Sequence, residues 1–317
     1  MIISTITLII GFVILIKGAD IFVTGSSKLA SHYKISKMLI GLTIVAFGTS
    51  APEFAVSIKS LLNGSGDIIL GNVIGSNILN VLLILGLSSL IHSLNVKDNT
   101  VKKELPITIL FTSAFLVLIS DNIFDKNQTN IFTRSDGIIL ILFFLIFIYY
   151  LVGMIKTKEK TREEDENNIS LKKSIILIAL GITGIIFGSN FVVESASKIA
   201  KLLGVTERMI ALTIIALGTS LPELVTSLIA TKKGEYDIAI GNVVGSNIFN
   251  IGIVIGLPVA LLGGITNITI NYIDLIMMMG SSVLLFMFSF KDYKISKKEG
   301  SIFLLLFILY YTYVIIA

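Results

Sequence analysis

Residues 46–57 read AFGTSAPEFAVS in the middle of a long apolar run, and residues 216–227 read ALGTSLPELVTS in another. Thr49, Ser50, Pro52 and Glu53 stand within five residues of each other in a segment otherwise suited to lipid. A charge near the bilayer centre costs on the order of 3 kcal/mol even on lenient insertion scales. The same costly pattern stands twice, 170 residues apart.

Composition identifies the solvent. Of 317 residues, 54% are hydrophobic and 15% charged, with a mean hydropathy of +0.92. Soluble domains carry about 25% charged residues, so the chain is expected to sit in a bilayer. It has no cysteine, which removes disulfides, thiolate metal centres and thiol catalysis together. His32 and His92 fall near the ends of apolar segments, as solvated or interfacial residues. The net charge of +4 comes from loop lysines, and no nucleic-acid surface is expected. Residues 1–24 lack a positive leading region and a small-residue cleavage site, and read as a retained first membrane helix rather than a signal peptide.

A spanning helix needs about 20 mostly apolar residues. Ten stretches qualify: 2–24, 38–61, 68–91, 105–121, 136–155, 174–196, 209–230, 237–260, 270–289 and 301–316. The polar interruption at 156–173 has nearly cancelling charges and reads as a solvated linker between two five-helix halves, 1–155 and 174–317. A regulatory role for it is the alternative. Loops on one side hold 18 lysines and arginines, and loops on the other hold 6. The heavy side is expected in the cytoplasm, which places both termini outside the cell membrane.

Adding 170 to a residue number carries Gly11 onto Gly181, Gly18 onto Gly188 and Lys28 onto Lys198. Between 41–80 and 211–250, 21 of 40 positions are identical, the mark of an internal repeat. Five is an odd number of helices, so the second copy is expected to enter the membrane inverted. Inverted repeats meeting near the midplane recur in secondary transporters. Packing alone preserves Gly, Ala and Leu. It does not explain why Thr49 matches Thr219, Ser50 Ser220, Glu53 Glu223, Ser76 Ser246 and Asn80 Asn250.

Pro52 lacks an N–H and clashes with the carbonyl four residues earlier, which frees the oxygen of Gly48; Pro222 does the same to Gly218. At spacings of three and four, Thr49, Ser50 and Glu53 share one helix face. A carboxylate, two hydroxyls and loosened carbonyls make an oxygen cluster of the kind hard cations such as calcium and sodium prefer. A second motif, GNVIGSNILN at 71–80, returns as GNVVGSNIFN at 241–250. Gly71 and Gly75, repeated as Gly241 and Gly245, read as a small-residue stripe for close helix packing. Ser76 and Asn80 read as ligands in preference to plain interhelical hydrogen bonding; for Asn72 and Asn77 both readings stand. Glu53 and Glu223 are the only acids expected deep in spans, with Lys17, Asp20 and Glu194 toward helix ends. Two glutamates at a repeat interface repel unless a cation or a proton sits between them. One calcium neutralises both, and sodium ions could do so too.

These paired GTSxPE and GNxxGSNxxN motifs, in inverted five-helix halves, resemble the alpha-repeats of sodium/calcium exchangers of the calcium/cation antiporter superfamily, closest to small prokaryotic members. The resemblance covers nearly the whole chain. It implies a ten-helix, all-α membrane fold, calcium held chiefly by Glu53, Glu223, Thr49 and Thr219, and no resident cofactor. Sodium sites would use the same glutamates with Ser50, Ser220, Ser76, Ser246, Asn80, Asn250 and the carbonyls of Ala46 and Ala216. The first and sixth helices would slide as a pair against the rest, and the chain would work as a monomer with lipid and inorganic cations as its partners. Some members carry an acid where this chain has Asn250, a departure that argues against potassium use. The motif wording of proton-coupled relatives, GN followed by glutamate, is missing. A proton/calcium or potassium-dependent cation antiporter on the same scaffold and a calcium-permeable channel are the alternatives; an enzyme is weaker still, with no HExxH motif.

Overall fold

The computed structural model describes residues 1–124, 129–156, 170–205, 214, 216–268 and 271–316. Most of the charged linker at 156–173 and the opening of the span expected at 209–230 lie outside the described residues. Helix α1 (Ile2–Tyr33) runs well past the apolar stretch that ends at residue 24. Its polar continuation stays helical because one face remains packed, with Gly25, Ser26, Leu29 and Ala30 buried, while its hydroxyls are satisfied on the preceding turn: Thr24 Oγ1 donates to the Asp20 carbonyl at 2.7 Å and Ser31 Oγ to the Ser27 carbonyl at 3.2 Å. Lys34, in the left-handed region at φ 54°, closes it.

Helix α2 (Lys37–Thr49) starts under Ser36, whose Oγ accepts the Leu39 N–H, and widens into a π turn over Gly41–Val45. The chain breaks at Ser50, and α3 (Ala51–Leu62) leaves at a bend of 46°. Pro52 lies in the first turn of α3, where its missing N–H is harmless and its ring bars continuation from α2. Then follow α4 (Gly66–Ile91), with a π turn over Asn80–Leu85, β1 (Leu94–Asn95), α5 (Leu105–Leu118), β2 (Asn130–Phe132) and α6 (Arg134–Lys156). The second half repeats the plan: α7 (Leu171–Leu202), α8 (Ala216–Thr219), α9 (Leu221–Lys232) and α10 (Tyr236–Leu262), the last with a π turn over Asn250–Ile255. It closes with β3 (Ile265–Ile268), α11 (Tyr272–Asp292), β4 (Lys294–Ile295) and α12 (Lys297–Ile316). Ser220 breaks the second copy as Ser50 breaks the first, at φ −88° and ψ 4° against −83° and 8°.

Among the described residues, α1, α4, α6, α7, α10, α11 and α12 are long and apolar enough to cross a membrane, and the bent pair α2–α3 makes an eighth span. The ten expected spans are not all present at that length. Helix α5 has 14 residues and continues directly from a π turn over Thr100–Glu104, where Lys102, Lys103 and Glu104 make its opening too charged for a lipid-crossing stretch. The segment before α8 lies outside the described residues. Ile9, Leu145, Ile146, Leu305 and Leu309 are exposed on outward faces, an apolar exterior that only lipid satisfies. The chain is a multi-pass membrane protein.

Helices α1 and α7 lie antiparallel with their backbones in contact. A Cβ on Gly18 would stand 2.8 Å from the Gly184 carbonyl carbon, on Gly181 2.6 Å from Phe22 Cα, and on Gly188 2.5 Å from the Leu15 nitrogen. Their apolar core, with Leu15, Phe22 and Ile185, is separate from the larger one built on α4 and α10 around Val73, Ile78, Leu82, Val243 and Ile248. Gly241 and Gly245 bring α10 against α2, where a Cβ would meet Gly41 Cα at 2.9 Å and Leu42 Cα at 2.8 Å. At Gly71 and Gly75 no described atom lies within 4 Å of a built Cβ. Two antiparallel clips tie the halves together: β1 to β4, with Leu94 opposite Ile295, and β2 to β3, with Phe132 opposite Ile265.

Candidate cation site

The two breaks do the positioning. Each glutamate falls in the first turn of the helix after its break, Glu53 in α3 and Glu223 in α9, where unpaired N–H groups and the helix dipole favour a carboxylate. Thr49, Ser50 and their counterparts come from the break itself. Both glutamates are 1% exposed, and Thr49, Ser50, Ser76, Asn80, Ser220, Ser246 and Asn250 are buried around them. Among the described residues neither glutamate has an ion-pair partner.

The hydrogen bonds cross between halves. Ser50 Oγ donates to Glu223 Oε1 at 2.8 Å and lies 3.1 Å from Ser246 Oγ. Ser220 Oγ lies 3.4 Å from Glu53 Oε1 and 3.1 Å from Ser76 Oγ. The serine after each break thus reaches the glutamate of the opposite half. Among the described residues the other carboxylate oxygen, Oε2, has no hydrogen-bond partner in either glutamate. The two carboxylates are close enough to repel each other. Buried, like-charged and half-bonded, such a pair is unstable without a positive charge between its members.

One helical turn further along α4 and α10 lies a layer of amides. Asn80 Nδ2 donates to Asn247 Oδ1 at 2.9 Å, and Asn250 Nδ2 to Asn77 Oδ1 at 3.0 Å. Asn77 and Asn247 each donate to the other's backbone carbonyl, at 3.3 and 3.4 Å. Among the described residues the Oδ1 atoms of Asn80 and Asn250 are left without partners. On the other flank, Thr49 Oγ1 donates to Asn242 Oδ1 at 3.0 Å and Thr219 Oγ1 to Asn72 Oδ1 at 3.3 Å.

The carbonyl of Ala46 is engaged within its own helix, accepting the Ser50 N–H at 3.0 Å and lying 3.3 Å from Thr49 Oγ1; Ala216 opens α8 at the matching place. Asp20 is not at a helix end: it sits midway along α1 and pairs with Lys233 at 2.8 Å. A third acid is buried outside the expected spans. Glu104, just before α5, is fully buried, accepts the Tyr150 hydroxyl and leaves its Oε2 unpartnered. Asn242 and Asn247 were legible only as the repeats of Asn72 and Asn77; their cross-half bonding needed the fold.

A cavity of about 870 Å³ leads to this cluster from one side, lined by Pro52, Ala55, Asn190, Glu194, Ser197 and Thr219. The other side is latched. Lys233 holds Asp20 and Thr24 of α1, and Glu235 accepts from Ser27 at 2.7 Å and pairs with Lys37 at 2.8 Å.

The sequence profile described as "Sodium/calcium exchanger protein" matches residues 3–153 and 173–316. The chain is 37% identical over 323 residues to the candidate antiporter CaxA of Alkalimonas amylolytica, covering 98% of each. It is 29% identical over 337 residues to sodium/calcium exchanger MaX1 of Methanosarcina acetivorans, covering 95% of each. It is also similar to a solved structure of the sodium-calcium exchanger NCX_Mj soaked with Na+ and Ca2+, at 33% identity and a TM-score of 0.82, over 98% of this chain and 97% of that one.

Proposed function

Because the chain belongs to the sodium/calcium exchanger protein family, we propose that it is a secondary antiporter exchanging Na+ for Ca2+ across the cell membrane by alternating access. The observation that carries this reading is the pair of buried carboxylates with free Oε2 atoms. Two bidentate carboxylates from Glu53 and Glu223, with the hydroxyls of Thr49 and Thr219, supply about six oxygens, within the roughly six to eight that Ca2+ takes. Sodium ions would use those glutamates with Ser50, Ser76, Ser220, Ser246, Asn80, Asn250 and the carbonyls of Ala46 and Ala216. Shared glutamates make the two ions compete.

In this reading the two five-helix halves, 1–155 and 174–317, joined by the linker at 156–173, are inverted copies making ten spans, with both termini outside and the site near the midplane. The matched breaks at Ser50 and Ser220 and the paired strand clips support that arrangement. Alternating access by the α1–α7 pair is supported by the cavity on one side and by the latch on the other. Both halves of the site come from one chain, which supports a working monomer.

Calcium binding to the purified protein by calorimetry tests the site. Wild type is expected to bind Ca2+, and Glu53→Gln and Glu223→Gln to lose it by 100-fold or more. Unchanged binding in either variant removes that glutamate from the site.

A further inference from the structure

A hydroxyl or an amide can offer a lone pair to a cation only when its hydrogens point elsewhere. The threonines proposed as calcium ligands each have one hydrogen to dispose of, and Asn80 and Asn250 each have two. We infer that Asn72, Asn242, Asn77 and Asn247 are positioning residues that each take one of these hydrogens, which turns the threonine oxygens and the Oδ1 atoms of Asn80 and Asn250 to the ion as acceptors. The inference rests on the reading of Thr49 and Thr219 as calcium ligands.

The orientation of Asn242 is fixed by its own donors. Nδ2 lies 2.9 Å from Ser227 Oγ and 3.4 Å from the Glu223 carbonyl, which turns Oδ1 toward Thr49 Oγ1 at 3.0 Å. One side chain therefore spans both halves, tying the backbone of the glutamate in its own half to the threonine of the other. Asn72 makes the same bridge, with Nδ2 3.4 Å from the Glu53 carbonyl and Oδ1 3.3 Å from Thr219 Oγ1. Thr49 also lies beside the Glu223 carboxylate. A cation drawn between them takes the lone pairs of both, and Asn242 Oδ1 at 3.0 Å, nearer than the Ala46 carbonyl at 3.3 Å, receives the hydroxyl hydrogen.

Asn77 and Asn247 act likewise one turn away. Each is held by the other's backbone carbonyl and accepts an amide hydrogen from Asn250 or Asn80. That leaves the Oδ1 atoms of Asn80 and Asn250 buried and unpartnered. The bridge at Asn242 is tight and fully buried, while the one at Asn72 is longer and half-buried. The looser bridge holds Thr219, which lines the open cavity.

The test is a pair of double-mutant cycles on Ca2+ uptake by reconstituted vesicles, read as KM and maximal rate separately. Thr49→Val and Asn242→Leu are each expected to raise the Ca2+ KM about tenfold, the scale of one lost hydrogen bond near a charge, with the maximal rate within about twofold. The double variant is expected to be no worse than Thr49→Val alone, because Asn242 acts through Thr49. Effects that multiply, or an Asn242→Leu KM equal to wild type, overturn the inference. If Asn242→Leu does not yield folded protein, the cycle of Asn72→Leu with Thr219→Val decides on the same terms. A Thr49→Val KM equal to wild type overturns the ligand reading of that threonine and the bridge with it, whereas multiplying effects overturn the bridge alone.

Discussion

Ser50 and Ser220 each end a helix and, from that break, reach the glutamate of the opposite half. That double duty explains why a hydroxyl stands beside the proline in both copies. Ser76 and Ser246 lie behind them, bonded to the serines at 3.1 Å, and Ser246 also reaches the Glu223 carboxylate. Ser76→Ala is expected to raise the Na+ needed for half-maximal exchange several-fold while changing the Ca2+ KM less; an unchanged Na+ dependence would remove Ser76 from the sodium site. Tyr150→Phe strands the buried Glu104 carboxylate and is expected to cost about 1–3 kcal/mol of stability, read as a lower melting temperature in detergent with Ca2+ binding retained. The burial of Glu53 and Glu223 was legible because each sits inside an apolar run. Glu104 was not, because it lies at the edge of its run and only the phenol from α6 shows that it is buried.

At the scale of elements, the breaks at Pro52 and Pro222 were legible from covalent chemistry alone. The length of α1 was not. Hydropathy fades after Thr24, yet Thr24 and Ser31 satisfy their hydroxyls on the preceding turn and the helix continues to Tyr33. The contact of α1 with α7 was visible only as matched glycines, without the partner that makes them necessary. Gly181→Leu is expected to drive a side chain into the Phe22 backbone, 2.6 Å away at the Cβ alone. Overpacking of that kind costs about 1–3 kcal/mol or more. A melting temperature equal to wild type would show that the two helices are not held in this contact.

The two halves are copies, but the molecule is not symmetric. The latch of Asp20 and Thr24 on Lys233 has Asn190, Glu194 and Asn63 at the matching places, which cannot form it, and that side carries the cavity. The repeat was legible from spacing and identity; the asymmetry lies in residues that differ between copies, which look like noise until the contacts are known. Since the chain has no cysteine, single introduced thiols report access cleanly. Ala55→Cys, on the cavity wall, is expected to react with a membrane-impermeant maleimide from the outer side, and Val23→Cys, buried on the latched side, to be protected. Lys233→Gln is expected to expose Val23→Cys to reagent from the cytoplasmic side, and protection equal to that in the unmodified latch would show that the latch does not hold that side shut. The exchange itself is tested most directly by Ca2+ uptake into sodium-loaded proteoliposomes diluted into sodium-free buffer, beside vesicles carrying a pH gradient or external potassium. Uptake is expected only where the sodium gradient exists. Uptake driven by the pH gradient alone, or uptake that needs no counter-ion, would contradict a sodium/calcium exchanger.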